Sequence, residues 1–476
     1  MAFNSISFFV FFSIVFCINY ILKQNYRKYF LILSCFFFIA FNNYESLLIL
    51  LFSIILTFYL AKNIEIAENQ RKKKVLFRIG VFSSLLILLL FKHLESGNGI
   101  SILTSHFKSE NILYSLGISF YTLQNISYLF DIYYKRIQLE KSIINFTLYS
   151  SFFPKFIIGP ITRTNDFLPQ FESNTVNKKN ILLGAQRILL GLVKKIVIAD
   201  RLSTYVHFNF DINEPTTGLT SVIAVYLFTL QLYFDFTGYI DIALGSSKML
   251  GFDLKENFNL PLRATSITDF WRRWHISLTS WITDYVFYPL SFKYRKYKRA
   301  GISLALLITF IVSGIWHGIG YTFILYSLLH AYYMCFELYT VAIRERIAKL
   351  FPSRIYHYLS IFITFNLVSL SFVFFRSISL DKSILYLKSI FNPSTFLPTN
   401  WYLDLYSKIA TGGDQKHFFN LAVSLIVCSI FVLYEKSIFR TTVTEKLNIK
   451  PVITLLLLLL LFGAFTVQEQ FIYNQF

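Results

Sequence analysis

Two histidines lie in apolar parts of this sequence, where an ionisable ring is costly. The stretch FIVSGIWHGIGYTFILY (residues 310–326) contains His317, and the stretch TDFWRRWHISLTSWITDYVFYPL (residues 268–290) contains His275. A neutral imidazole at low dielectric constant can accept the proton of a hydroxyl that attacks an activated carbonyl, while nearby donors stabilise the oxyanion. The pair therefore predicts acyl transfer. A thioester donor supplies the driving force for that reaction, so the chain itself needs no ATP site.

Other chemistries fit the sequence less well. A metal site needs three or four ligands, and no H-x-x-x-H, H-E-x-x-H or C-x-x-C spacing occurs, so we predict no metal. The nucleophile elbow of serine hydrolases and the phosphate-binding loop of ATP-driven transporters are also missing from the sequence. Two structural alternatives stay open from the residues alone: hydrogen-bonding histidines in a packed core, and tryptophans and arginines that anchor helices at the membrane surface.

The composition places these residues in a membrane. Hydrophobic residues make up 55% of the 476 and charged residues only 15%, a balance outside that of soluble domains. Apolar runs of roughly 18–22 residues, each long enough to cross the bilayer, recur along the chain. We predict spans near 3–22, 28–41, 46–63, 75–93, 112–134, 301–317, 319–343, 355–375, 418–435 and 451–470, with an outer polar connection over about 376–417. We predict an all-α polytopic protein with about 10–12 spanning helices. It forms one domain, 1–476, with N-terminal spans in 1–115 and a catalytic region in 116–476.

The charges indicate an orientation. The formal net charge is +19, and the basic residues gather between the apolar runs. Because cytoplasmic loops are rich in Lys and Arg, we place the loops at 23–28, 71–78, 135–136 and 293–299 in the cytoplasm. Both termini are then extracytoplasmic, and the protein is a multi-pass protein of the cytoplasmic (inner) membrane. The basic surface also suits anionic lipid or an acidic cytosolic donor.

The middle of the chain is irregular. Pro154, Gly159 and Pro160 interrupt apolar sequence between Lys135 and Lys293, and this predicts re-entrant or short tilted helices. A simple bundle with proline kinks is the alternative. The number of crossings in this part stays undetermined.

We expect the two histidines to meet at one depth. If 269–290 and 301–317 are continuous helices joined by the basic loop, each ring lies roughly 22–24 Å above that loop at 1.5 Å per residue. A helix through 269–290 would place Trp271 and His275 on one side, and Gly318 with Gly320 would end the second helix beside His317. Candidate substrate- or tunnel-lining residues are Asp235, Arg272, Trp274, Ser313 and Trp316, and for Asp235 a helix-end hydrogen bond is the alternative role.

Several segments carry a family likeness: LGISFYTLQNISYLFDIYY, SFFPKFIIGPITR, LYFDFTGYIDIALGSSKMLGFDLKENFNLPLRATSITDFWRRWHISLTSW, SGIWHG and the final FIYNQF. Together, from about Leu116 onward, they resemble the membrane-bound O-acyltransferase family. Within it they are most similar to the bacterial branch that includes alginate O-acetylation membrane proteins and the teichoic-acid D-alanylation protein. The resemblance implies a multi-helix shell around a central funnel, with His317 as the essential histidine and His275 as the second.

The resemblance also implies the reaction partners. An acyl group passes from a cytosolic thioester, acetyl-CoA or an acyl carrier protein, to a hydroxyl on the outer face, and no cofactor is bound permanently. The acceptor is a glycan or cell-envelope polymer, reached directly or through a partner acetyltransferase protein. Nucleic acid is not expected as a partner. Two alternatives remain at this stage: a transporter or flippase for a lipid-linked glycan or acyl carrier without covalent chemistry, and a scaffold of an export complex.

Overall fold

The computed structural model describes residues 1–41, 43–95, 117–173, 176–212, 217–318, 320–396, 422–434 and 449–463. Within these ranges the regular structure is entirely helical. The α-helices of the first half are α1 Ile6–Ile21, α2 Gln24–Ala40, α3 Tyr44–Ile66, α4 Gln70–Glu95, α5 Ile118–Tyr133, α6 Ile143–Ser151, α7 Phe153–Phe156, α8 Thr164–Phe167, α9 Gln170–Ser173, α10 Lys178–Leu192, α11 Asp200–His207 and α12 Gly218–Met249.

The second half continues with α13 Ile267–Arg273, α14 Ile276–Ile282, α15 Tyr288–Lys293, α16 Lys298–His317, α17 Tyr321–Tyr339, α18 Val341–Ala348, α19 Ser353–Arg376, α20 Leu380–Phe391, α21 Pro393–Phe396, α22 Ala422–Tyr434 and α23 Ile449–Phe462. Wider π-helical turns occur at Val193–Ala199, Phe208–Ile212 and Thr283–Phe287, and 3-10 turns at Pro261–Arg263 and Arg295–Tyr297.

The chain is an all-α polytopic membrane protein, as its composition predicted. Five of the described helices are long and apolar enough to cross a bilayer: α3, α4, α12, α16 extended back to Arg295, and α19. They differ in their surroundings, because 72% of the most apolar window of α12 is buried against only 17% in α4. Helix α12 is therefore surrounded by protein, whereas α4 offers its side chains to lipid.

The described residues form two compact units. The first comprises Met1–Ile188 with Ile240–Glu256, and the second comprises Leu189–Tyr239 with Asn257–Phe476. In the first unit, aromatic rings fill the space between α1 and α2, where Phe11 and Phe38 both pack against Phe153. That third ring comes from the irregular segment that follows α6, so the broken part of the chain is buried inside protein.

This irregular segment also buries a lysine. Lys155 is 1% exposed, and its Nζ donates to Gln124 Oε1 at 3.2 Å and to the Thr162 hydroxyl at 2.5 Å. Two aromatic faces cover it, with Nζ 4.1 Å from the Tyr149 ring centre and 4.4 Å from that of Phe167. Hydrogen bonds and contacts with two aromatic faces thus replace the lost water. The short helices α7, α8 and α9 agree with the predicted break in the spanning pattern.

In the second unit, the expected continuous helix over 269–290 is wrong. The chain forms α13, breaks at Trp274 and His275, and resumes as α14, which passes through a π-helical turn into α15. Trp271 and His275 therefore do not lie on one helical stripe. The predicted depth of His275 assumed an unbroken helix and therefore does not hold. The helix that ends at His317 is continuous, as predicted.

Several other predicted segments lie only partly within the described residues. The predicted outer connection over 376–417 contains helix α20, and 397–421 lies outside the described residues. The predicted span 112–134 is described from residue 117, and the last predicted span, 451–470, up to residue 463. For the rest, the predicted runs in 3–93, 301–343 and 355–375 coincide with helices within a few residues.

Candidate active site

His275 lies at a sharp break in the backbone. Its φ and ψ are 44° and 53°, in the left-handed region that residues with a side chain rarely adopt. The N–H of Trp274 donates to Phe270 O at 2.8 Å in the last turn of α13. The N–H of Thr279 donates to His275 O at 2.9 Å in the first turn of α14. Such strain persists only where the surrounding contacts hold it, and it gathers at functional sites.

An extended segment after α12 holds this break in place. The N–H of Asn259 donates to Arg273 O, and the N–H of Ile276 donates to Asn257 O, both at 2.9 Å. The side chain of Asn257 also contacts the break. Its Oδ1 accepts from the N–H of Ser277 at 2.8 Å, and its Nδ2 lies 3.3 Å from His275 Nδ1. Asn257 and His275 are both almost fully buried.

His330, a further buried histidine, anchors α13, the helix that precedes the break. The indole N–H of Trp271 donates to His330 Nδ1 at 3.2 Å. His330 Nε2 lies 2.8 Å from Ser371 Oγ, whose hydroxyl is 2.6 Å from Val368 O. Because the hydroxyl proton goes to that carbonyl, Nε2–H of His330 donates to Ser371. Both ring nitrogens of His330 are thus used within the protein, as expected of a structural histidine.

A carboxylate caps the start of the same helix. Glu337 of α17 accepts from the N–H of Ile267 at 2.6 Å and from the N–H of Thr268 at 3.1 Å, and the Thr268 hydroxyl donates to it at 2.7 Å. An anion at a helix N-terminus satisfies otherwise unpaired donors and complements the helix dipole. His330 and Glu337 lie seven residues apart on α17, so one face of α17 holds α13 at two points.

His317 is the last residue of α16. Its C-cap, Gly318, has an extended backbone, and a Cβ there would lie 2.5 Å from the Phe323 ring. At Gly314 a Cβ would lie 2.8 Å from Ser327 Oγ and 3.0 Å from Phe323 O, because α17 passes close to α16 at this point. The helix therefore ends at Gly318, as the sequence predicted, and Gly314 admits the neighbouring helix.

The two predicted histidines pack against the same indole. The centre of the Trp316 ring lies 4.9 Å from that of His317 and 6.3 Å from that of His275. Phe236 meets His275 edge-on at 4.9 Å, and Phe375 meets His317 edge-on at 5.3 Å. His317 is 5% exposed and His275 1%. Both imidazoles thus lie in a buried aromatic environment of low dielectric constant, where electrostatic interactions are strong.

The remaining candidate residues fall in different surroundings. Trp274 is buried among aromatic rings, 5.1 Å from Phe258 and stacked on Phe270 at 5.4 Å. Ser313 is buried one turn before His317 on α16, whereas Arg272 is exposed. Their roles toward a substrate stay predictions.

Asp235 has a partner that the sequence analysis did not foresee. Lys195 Nζ lies 2.7 Å from Asp235 and 2.7 Å from Asp200, and all three side chains are at most 2% exposed. Lys195 belongs to the π-helical turn that follows α10, which faces α12 at Gly238. The charged group therefore joins neighbouring segments of the second unit. Its role toward a substrate stays a prediction.

With this geometry in hand, comparison with known proteins decides the family. The family model of membrane-bound O-acyltransferases matches residues 33–379 of the chain. The chain belongs to the membrane-bound O-acyltransferase family. The resemblance read from the sequence motifs is confirmed, and the protein is an O-acyltransferase.

Relatives of known name support the assignment. The chain is 31% identical to the peptidoglycan O-acetyltransferase of Helicobacter pylori over 430 residues, which cover 82% of this chain and 80% of the relative. It is 32% identical to the protein named "Probable alginate O-acetylase AlgI" of Pseudomonas aeruginosa over 445 residues, 91% of this chain and 82% of the relative. The teichoic acid D-alanyltransferase of Bacillus subtilis is 29% identical over 280 residues, 57% of this chain and 70% of the relative.

Sequence reasoning missed several residues that support the site. Asn257, Lys195 and Glu337 were not singled out as site residues from the sequence. A signal existed for each, because a buried amide or charge in membrane sequence requires a partner. Finding that partner required the fold, since 18 residues separate Asn257 from His275 and 70 separate Glu337 from Ile267.

Proposed function

We propose that this enzyme transfers a short acyl group, with acetyl as the first expectation, from a cytosolic thioester to a hydroxyl of an extracytoplasmic cell-envelope glycan. The observation that carries the proposal is the burial of His317 and His275 against the shared Trp316 ring. The named relatives include acetyltransferases of peptidoglycan and alginate, which are both glycans. This supports acetyl over other acyl groups and a glycan over a lipid or a peptide.

The chemistry assigned to His317 is that of a general base. One ring nitrogen takes the proton of the acceptor hydroxyl while that oxygen attacks the thioester carbonyl. The tetrahedral intermediate then loses the thiolate, and the imidazolium returns the proton to the sulfur. The products are the ester and the free thiol, with no net change in the enzyme. A general base of this kind contributes about 10²–10⁴ to the rate.

The donor and the orientation belong to the same proposal. Acetyl-CoA and an acylated carrier protein both present a thioester in the cytosol, and the basic loops support a cytosolic side that includes Lys293–Arg299. We place the enzyme in the cytoplasmic membrane with both termini outside. A partner acetyltransferase on the outer face is one route by which the group reaches the polymer.

Transport without chemistry is the weaker alternative. The family consists of acyltransferases, and the named relatives are acyl-transfer enzymes. A transporter or flippase also gives no reason for two buried imidazoles on one indole.

The test is a comparison of envelope glycans from the wild-type strain and a strain that lacks this gene. Mild base releases ester-linked acids, and mass spectrometry of the acids and of the intact glycan identifies the acyl group and the acceptor together. We expect one acylated glycan to lose its ester in the deletion strain and to regain it on complementation. An unchanged ester content in every envelope glycan would refute the proposed function.

A further inference from the structure

The side chain of Asn257 has only one orientation that fits its surroundings. One of its two terminal atoms faces the N–H of Ser277 at 2.8 Å, and the other faces His275 Nδ1 at 3.3 Å. A backbone N–H only donates, so the atom that faces Ser277 is the amide oxygen. The amide nitrogen, which also only donates, must therefore face the histidine ring.

This orientation decides where the imidazole carries its proton. Because the amide N–H of Asn257 donates to Nδ1, that nitrogen must be the acceptor, and the neutral ring then carries its proton on Nε2. The opposite tautomer would set two donors against each other, and so would the doubly protonated cation. His275 is thus neutral, with Nε2–H on the edge of the ring away from Asn257.

We infer that Asn257 is a positioning residue that fixes His275 as a hydrogen-bond donor, so that the two histidines of the site have opposite tasks. This inference rests on the proposed function. His317 accepts the hydroxyl proton, whereas His275 donates an Nε2–H hydrogen bond to the oxygen that becomes negative as the thioester carbonyl is attacked. His275 keeps its proton throughout. The proton of the acceptor hydroxyl therefore passes to His317 and from there to the leaving thiolate.

The strained backbone at His275 is consistent with this task. The contacts of Asn257 with Ile276 and Ser277 and of Asn259 with Arg273 fix the residues on both sides of the break. A donor aimed at a developing charge is effective only if it is held in place before the reaction begins. A helical backbone at His275 would need fewer supporting contacts, and the segment around Asn257 supplies the ones that the left-handed backbone requires.

The tautomer can be observed directly. We propose nitrogen NMR of the full-length enzyme, labelled at histidine and reconstituted in lipid vesicles, with the His275 signals identified by their loss in His275→Gln. At neutral pH we expect an unprotonated Nδ1 and a protonated Nε2. His330 is an internal reference, because Trp271 and Ser371 impose the same tautomer on it. A proton on Nδ1 of His275 would overturn the inference.

Two substitutions separate this role from simple packing. Asn257→Asp keeps an oxygen for the N–H of Ser277 but replaces the donor with an acceptor, which draws the ring proton to Nδ1. We expect the rate of acyl incorporation into envelope glycan to fall about 100-fold, the usual cost of an oxyanion donor. Asn257→Ala imposes neither tautomer on the imidazole, so we expect a smaller loss of rate than in Asn257→Asp. If Asn257 only packed, the alanine variant would be the more damaged one.

Control variants separate a specific role of Asn257 from a general loss of activity. Asn63→Asp makes the same chemical change at an exposed asparagine of α3 and is expected to keep the wild-type rate. Rates are compared at equal amounts of protein in the membrane, and the tautomer of the wild-type enzyme decides the question should Asn257→Asp fail to accumulate. An active His317→Ala variant would refute the general base and leave the tautomer result intact. An Nδ1–H tautomer with an inactive His317→Ala would refute only the present inference.

Discussion

At the scale of single residues, the site depends on polar groups that lipid or protein has deprived of water. Three of them have a defined partner within the described residues: Asn257 for His275, Trp271 and Ser371 for His330, and two carboxylates for Lys195. A buried polar group without its partner costs more than the pair contributes, so these residues respond strongly to the loss of one member.

The ion group around Lys195 provides the clearest prediction at this scale. Lys195→Met leaves the carboxylates of Asp200 and Asp235 buried and close together, and we expect a loss of about 3–5 kcal/mol in the free energy of unfolding. Adding Asp235→Asn removes one of the two charges and is expected to restore part of that loss. The measurement is the thermal unfolding midpoint of the purified protein in detergent, together with its amount in the membrane.

The matched control is a lysine in an exposed ion pair. Lys255 lies 2.6 Å from Asp166 with a side chain that is 74% exposed, so Lys255→Met is expected to change the stability by about 1 kcal/mol or less. Equal stability of Lys195→Met and Lys255→Met would contradict the structural role given to the buried group.

At the scale of elements, α13 is too short to hold its own position. It has seven residues, well below the length at which an isolated helix is stable, and α17 holds it through His330 and Glu337. Because the break at His275 follows directly after α13, the placement of this helix determines the placement of the imidazole.

Removal of the helix cap is expected to weaken this arrangement. Glu337→Ala leaves two N–H groups and one hydroxyl of α13 without their acceptor, and we expect a loss of about 1–3 kcal/mol in stability with reduced acyl transfer. Glu345→Ala, an exposed glutamate on α18, is the control and should leave both quantities unchanged. Thermal unfolding and acyl incorporation are measured on the same preparations. A Glu337→Ala enzyme that matches the control in both would exclude the capping role.

The close approach of α16 and α17 can be tested through their glycines. Gly314→Val places a branched side chain against Ser327 and the Phe323 carbonyl, and overpacking of this kind costs about 1–3 kcal/mol. At Gly320 the nearest atom to a new Cβ is 3.5 Å away and the backbone is extended, so Gly320→Val is expected to be tolerated. Thermal unfolding of the two variants compares them directly, and similar midpoints would show that the helices do not need a glycine at 314.

The elements also show how far the sequence alone reaches. Hydrophobic length predicted α1 to α4, α16, α17 and α19 within a few residues, because lipid requires a continuous apolar helix. It failed over 269–290, where the apolar pattern is that of a helix but backbone contacts from residues 257–259 pull the chain into a break. Those contacts are invisible to periodicity, and so is the partner of every buried polar group.

At the scale of the whole molecule, the protein is a multi-pass membrane enzyme in which the candidate residues His317 and His275 are buried within protein. Helix α12 illustrates this, since it is the most buried of the five long apolar helices and contributes Phe236 to the surroundings of His275. Family membership establishes the class of reaction. The proposed direction, from a cytosolic thioester to an outer glycan, gives such a chain a reason to span the membrane.

The most direct test of the central claim is the ester content of the envelope glycan in strains whose only copy of the enzyme is His317→Ala or His357→Ala. His357 is an exposed histidine of α19 and serves as the control. At equal amounts of enzyme in the membrane, we expect His317→Ala to lose at least about 99% of the ester-linked acyl groups and His357→Ala to keep the wild-type content. A wild-type ester content in the His317→Ala strain would contradict the account.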